Sequence, residues 1–138
     1  MKLRIKGNSI RLRLGQSEVR RLLNDGMVDE STVFGPSRSE CFGYSLRVSR
    51  ESRELSASFA DRRLIVRIPA AVADQWATTD QVGVSCHQRT TDDSELSILI
   101  EKDFECVDAP SGESHEDAFP NPQFEAVCQP AMEIERSM

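Results

Sequence analysis

The chain has 138 residues, 38% of them hydrophobic and 29% charged, with a formal net charge of −6. That is enough chain for one domain with a genuine core. No apolar run approaches the roughly 18 residues of a membrane span, and the start of the chain lacks the apolar stretch of a secretory signal, so a cytoplasmic protein with no membrane partner is expected. Its four cysteines, at positions 41, 86, 106 and 128, are then expected as reduced thiols, and none stands in a CxxC pair.

The first element is KLRIKGNSIRLRL, residues 2–14. Leu3, Ile5, Ile10, Leu12 and Leu14 alternate with Lys2, Arg4, Lys6, Arg11 and Arg13, and a period of two is the signature of strands. Gly7-Asn8 suits a type II′ turn with Gly7 as its first central residue. A two-residue turn sets the register: Arg4 then faces Arg11, and Lys2 faces Arg13. Like charges directly opposite are destabilising by up to about 1 kcal/mol a pair, so the face calls for an anionic neighbour or ligand.

A short helix follows in GQSEVRRLLNDG. Ser17 is the expected N-cap, Glu18 suits the first turn, and Val19, Leu22 and Leu23 share a face. Gly26 is the stop signal. A strand is expected from about Met27 to Phe34, then a GPSRSE loop. Phe42, Tyr44, Leu46 and Val48 alternate as a half-buried strand, as do Leu55, Ala57 and Phe59, and then Leu64, Val66 and Ile68. Pro69 sits where a helix can begin, and Val72 and Trp76 lie four apart on its inner face. Val82, Val84 and Cys86 read as a strand, HQRTTDDS as a polar loop, and ELSILIEKDFE as a long strand. The fold class is α+β: about eight strands in a mainly antiparallel sheet, with two short helices on one face. Both SIRLRLGQSEVRRLL and RLIVRIPAAVADQW run from strand into helix, which leaves open two ββαβ halves or the ordinary grammar of α+β chains. The expected organisation is a domain at 1–107, an acidic extended segment docked on it at 108–122, and a flexible tail at 123–138.

Charge is unevenly distributed. Residues 1–21 hold seven Lys/Arg against Glu18, whereas residues 101–138 hold ten Asp/Glu against Lys102 and Arg136. Such asymmetry points to a polyelectrolyte partner or to the two ends meeting. In the last strand Glu101, Asp103 and Glu105 share one face, a row of carboxylates able to neutralise the row of cations. The acidic segment is expected to fold back with Glu116 and Asp117 over Arg4, Arg11 or Arg13, and with Phe119 buried.

RIKGNSIRLRL at 4–14, EKDFEC at 101–106 and EDAFPNP at 116–122 together resemble a bacterial family of small proteins of unknown function. The resemblance implies no activity or site residue, but it does imply that the HEDAFPNP segment belongs to the folded unit. Separately, VRIPAAVADQW resembles the strand, Ile-Pro, helix opening of AbrB-like swapped-hairpin DNA-binding modules. A proline at the first helical position explains that stretch without DNA.

Two histidines outside any Ser/His/Asp or Cys/His setting, and the lack of a Gly-rich phosphate loop, are thin material for catalysis. The reading is a non-catalytic binding or protein-interaction module, its partner and oligomeric state unspecified. Two alternatives stand beside it. An anion or nucleic-acid binder would use Lys2, Arg4, Arg11 and Arg13, although no aromatic residue interleaves with these cations for base stacking. A small metal protein would use Cys106 and His115 with Cys86 and His87; zinc suits that donor set, and no other cofactor is implied.

Overall fold

The computed structural model describes residues 1–104 together with Asp117 and Phe119. Eight strands, two helices and one 3-10 turn follow in order: β1 Lys2–Lys6, β2 Ser9–Leu14, α1 Gln16–Asp25, β3 Met27–Val33, the turn Arg38–Glu40, β4 Cys41–Ser49, β5 Ser56–Ala60, β6 Arg63–Pro69, α2 Ala70–Thr78, β7 Gly83–Thr91 and β8 Ser94–Lys102. The class is α+β, as expected, but the strands form two sheets rather than one. Their orders are β1-β2-β8-β7 and β3-β4-β6-β5.

Each sheet joins two antiparallel hairpins by a central parallel pair: β2 with β8 in one, β4 with β6 in the other. The chain up to β4 forms one half (β1β2α1β3β4) and the rest a second (β5β6α2β7β8), so the repeating unit is ββαββ. The registers relate the halves. Leu12 pairs with Ile100, and Leu46 with Val66; one constant sequence separation carries Leu12 to Val66 and Leu46 to Ile100. Each half places one hairpin in each sheet, so the hairpins are exchanged between halves.

Local sequence explains most elements. Gly7 holds φ +54° in the expected β1–β2 turn, and the register there is the one the two-residue loop dictates, with Arg4 opposite Arg11 and Lys2 opposite Arg13. In the equivalent turn of the second half, Asp61 and Arg62 both take positive φ, as a type I′ turn demands. Gly26 ends α1 at φ 83°, its N–H donating to the Leu22 carbonyl at 2.9 Å. The N-cap of α1, however, is Gly15 and not Ser17; Glu18 reaches back to the Gly15 N–H at 2.9 Å, the reciprocal half of a capping box. HQRTTDDS is mostly strand: β7 runs to Thr91, with a register shift between Arg89 and Thr91, and only Asp92-Asp93 turn. β8 proceeds beside β2 in the interior of its sheet, and β7 forms the edge.

The core lies between the inner faces of the sheets and under the helices. Leu12, Leu14, Leu22, Val28, Leu46, Val66, Ile68, Trp76 and Ile100 are fully buried. α1 packs on α2, β3 and β4, and the indole N–H of Trp76 donates to the Val82 carbonyl at 3.0 Å. The sheet edges also meet. The Gln88 amide on β7 both accepts from the Ala57 N–H (2.7 Å) and donates to the Ala57 carbonyl (2.8 Å) on β5, standing in for a strand neighbour. On the other side the Met1 ammonium lies against Glu18 and Glu30, and the Tyr44 hydroxyl donates to the Met1 carbonyl. The helices close one end of this arrangement; the four hairpin turns lie at the other.

Candidate interaction surfaces

The basic hairpin face is the outer face of the first sheet, and β8 supplies its anions. Arg13 sits 3.1 Å and Arg11 3.4 Å from the Glu101 carboxylate, and Lys2 sits 3.2 Å from Asp103. Burial pulls the Arg11 guanidinium below its ordinary value, Arg13 and Arg4 adding to the effect and Glu101 opposing it. The crowding of cations is thus partly neutralised within the sheet. Among the described residues Arg4 and Lys6 have no ion-pair partner. Replacing Glu101 and Asp103 by lysine should lower the melting temperature more at low salt than at high salt, because screening removes the added repulsion. Thermal melts in low and high salt check this; equal losses would count against electrostatic pairing.

The candidate metal residues do not converge among the described positions. Consecutive residues of a strand point to opposite faces: the Cys86 thiol points inward and donates to the Leu55 carbonyl at 3.0 Å, while His87 points outward beside Ser97 and Glu95. Burial, helped by Glu54, pushes the Cys86 thiol up. No group of three or more metal-ligating side chains occurs among the described residues. Cys106 and His115 lie outside the described residues, as do the boundary at residue 107 and the tail at 123–138.

Of the acidic segment the described residues are Asp117 and Phe119, and Asp117 stands at a different place from the expected one. Asp117 meets the start of α1 instead of the cationic face. Its carbonyl accepts from the Gln16 N–H at 2.7 Å, and its carboxylate accepts from the Ser17 N–H at 3.0 Å and the Ser17 hydroxyl at 2.8 Å. A helix start offers unpaired N–H groups and the positive end of the dipole, and that outcompetes arginines already held by Glu101. Burial works against the charged carboxyl, but the Ser17 hydrogen bonds, Arg20 and the amino terminus outweigh it and hold Asp117 below its ordinary value. Gly15 makes the approach possible: a Cβ there would lie 2.7 Å from the Asp117 carbonyl oxygen.

Phe119 pins the same segment. Its N–H donates to the Asp103 carbonyl at 2.7 Å, its ring lies 5.8 Å from that of Phe104, and the Lys102 ammonium stands 5.5 Å from it. Lys102 is only 5% exposed. Its ammonium donates to the Thr79 carbonyl at 2.7 Å and lies 5.9 Å from the centre of the Trp76 ring. A cation at the end of α2 satisfies a terminal carbonyl and the negative end of the dipole. Burial nonetheless pushes the ammonium below the ordinary lysine value, with Asp80 acting against the shift. No motif in the sequence marks this cluster. The alternation Leu96, Ile98, Ile100, Lys102 was the signal that could have found it, since it places the lysine on the inner face.

Among the described residues, two further surfaces are left uncovered. At the end bearing the hairpin turns, Phe34 (73% exposed), Val33, Phe59 (64%) and Ile5 present apolar side chains to solvent, and Phe42 stacks on Phe59 with ring centres 6.3 Å apart. Near the helices, a groove of about 470 Å³ lies between the end of α1 and the start of α2, bordered by Leu22, Leu23, Val48, Arg50, Ala73 and Asp74.

Among comparisons with known proteins, the model of a family described as a family of unknown function (DUF7009) matches residues 1–123, a span that takes in the docked Asp117 and Phe119. No curated protein and no solved structure matches.

Proposed function

Because this chain belongs to a family of unknown function (DUF7009), its role has to be read from its own surface, and we propose that it is a non-catalytic protein-interaction module. One observation carries the reading: the exposed apolar side chains at the hairpin end. Phe34 and Phe59 are among the largest apolar residues of the chain, yet each keeps most of its surface in water. Isolated exposed leucines or valines need no explanation, but a concentration of large apolar groups at one end of a folded domain marks a surface that another protein covers. Aromatic anchors are also the residues that dominate binding energy in interfaces.

The test is site-specific photo-crosslinking in the producing cell. A photoreactive residue at position 34 or 59 should trap one defined protein, whereas the same residue at position 21, on the exposed side of α1, should not. Phe34→Ser combined with Phe59→Ser should abolish a capture made through a photoreactive residue at position 33. Equal capture at positions 21, 34 and 59, or capture that survives the double substitution, would overturn the reading.

A second reading, anion or nucleic-acid binding on the hairpin face, rests on Arg4 and Lys6. Both are exposed and without an ion-pair partner among the described residues. A mobility shift that weakens steeply with salt is its signature, and Arg4→Ala with Lys6→Ala should remove it.

A further inference from the structure

The internal duplication makes the two helix ends comparable position by position. The sequence separation that carries Leu12 to Val66 also carries Leu22 to Trp76, Val48 to Lys102 and Arg50 to Phe104. In the second half, the Lys102 ammonium lies near the rings of both Trp76 and Phe119, Phe104 packs against Phe119, and the start of α1 holds Asp117. In the first half, Leu22, Val48 and Arg50 border the groove beside the start of α2. The groove is therefore the duplicate of a site that the chain fills with its own Asp117 and Phe119. Leu23, on its rim, is 42% exposed. We infer that this groove docks an extended segment of a partner protein, seated by an apolar side chain where Phe119 sits in the duplicate and flanked by a basic residue.

The chemistry of the partner follows from what differs between the duplicates. Ser17 and Arg20, which receive Asp117, are replaced by Ala71 and Asp74. Thr79 is replaced by Asp25, and both Asp25 and Asp74 border the groove with Arg50 as the cation among them. An aspartate in the flanking place would lose its hydroxyl donor and face a carboxylate, whereas a lysine or arginine would face complementary charge. Pro69 stands where Gly15 lets Asp117 approach, and a Cβ at that place meets the aspartate. Charge and shape therefore both turn away a second copy of the chain's own Asp117–Phe119 segment. Val48 in place of Lys102 removes the cation from under the ring, which leaves burial of apolar surface as the attraction. This surface is separate from the hairpin end, so its failure would leave the interaction reading above intact.

Two labelled peptides test the inference on the full chain: HEDAFPN, the sequence of residues 115–121, and HEKAFPN, its Asp117→Lys counterpart. Backbone amide shifts of Leu22, Leu23, Val48 and Ala73 report the groove, and those of Trp76 and Lys102 report the duplicate. HEKAFPN should shift the groove residues, and Asp74→Arg should weaken it by about tenfold, the effect of roughly 1.4 kcal/mol. The triple variant Pro69→Gly, Ala71→Ser, Asp74→Arg should prefer HEDAFPN. Shifts confined to Trp76 and Lys102, an affinity indifferent to Asp74→Arg, or a wild-type groove that prefers HEDAFPN would each overturn the inference; the last would assign the groove to a second copy.

Discussion

Lys102→Glu is expected to destabilise the protein by about 3–5 kcal/mol at neutral pH, the range for an uncompensated buried charge. The carboxylate would replace an ammonium that is 5% exposed, and it would face the Thr79 carbonyl and the electron-rich faces of Trp76 and Phe119. It would also sit at the negative end of α2. Denaturant unfolding at neutral pH measures the loss. Part of it should return in mild acid, where the desolvated glutamate takes up a proton. Lys102→Met should be much milder, since Val48 fills the equivalent place in the first half, although the Thr79 carbonyl loses its donor. The methionine variant also tests the pH linkage. With the folded pKa below the ordinary lysine value of about 10.4, the unfolded chain holds a proton that the folded chain lacks between those two values. Stability from this group therefore rises with pH across that window, and the burial penalty is fully present below it. Lys102→Met should abolish the rise; an unchanged pH slope would mean that another group produces it.

Trp76→Ala is expected to cost about 3–5 kcal/mol, the range for removing a large buried aromatic. The ring is fully buried, and it supports the Lys102 ammonium as well as packing α2 on the core. The Val82 carbonyl would lose the indole donor, and leaving a partly buried acceptor unpaired adds to the loss. Trp76→Leu restores the residue found at the equivalent position of α1 and should recover part of the stability. Equilibrium unfolding of both variants, with amide shifts of Phe119 as a second readout, separates loss of packing from loss of the docked segment. Equal stability of the alanine and leucine variants would show that the indole hydrogen bonds matter more than its volume.

Much of the architecture was legible in local sequence. The alternation of Leu3, Ile5, Ile10, Leu12 and Leu14 with cations forecast the hairpin and its register, because a strand's period depends on nothing beyond its own backbone; Ile10, Leu12 and Leu14 do enter the core, but Ile5, near the turn, stays in solvent. Gly7, Gly26 and Pro69 marked a turn, a helix stop and a helix start through their own φ preferences. The cap of α1 was misplaced because Ser17 matches the chemistry of a cap, whereas its hydroxyl serves Asp117. Thr90 and Thr91 lie in strand rather than loop because β8 supplies a ladder that their polarity does not advertise.

The pairing of acidic with basic strand was also legible in outline, since two rows of opposite charge on faces opposite the core attract whatever their order. The destination of Asp117 was not. A reading of formal charge directs it to the arginines, but Arg11 and Arg13 already face Glu101, and the N–H groups at the start of α1 form no pattern in the letters. The Lys102 site was similarly hidden, because a buried lysine becomes tolerable only when a helix end and two rings arrive from other parts of the chain.

By itself the sequence determined the α+β class, the presence of the two helices, and the period and core side of most strands. These follow from interactions between residues close along the chain, where φ preference and period act directly. Only the tertiary structure decided that β2 pairs with β8 and β4 with β6, that the hairpins cross between halves, and that one of two equivalent grooves is filled. An alternating strand offers the same ladder and the same apolar face to any neighbour. The choice among neighbours is therefore made by the packing of the whole core and by groups that meet only when distant segments close.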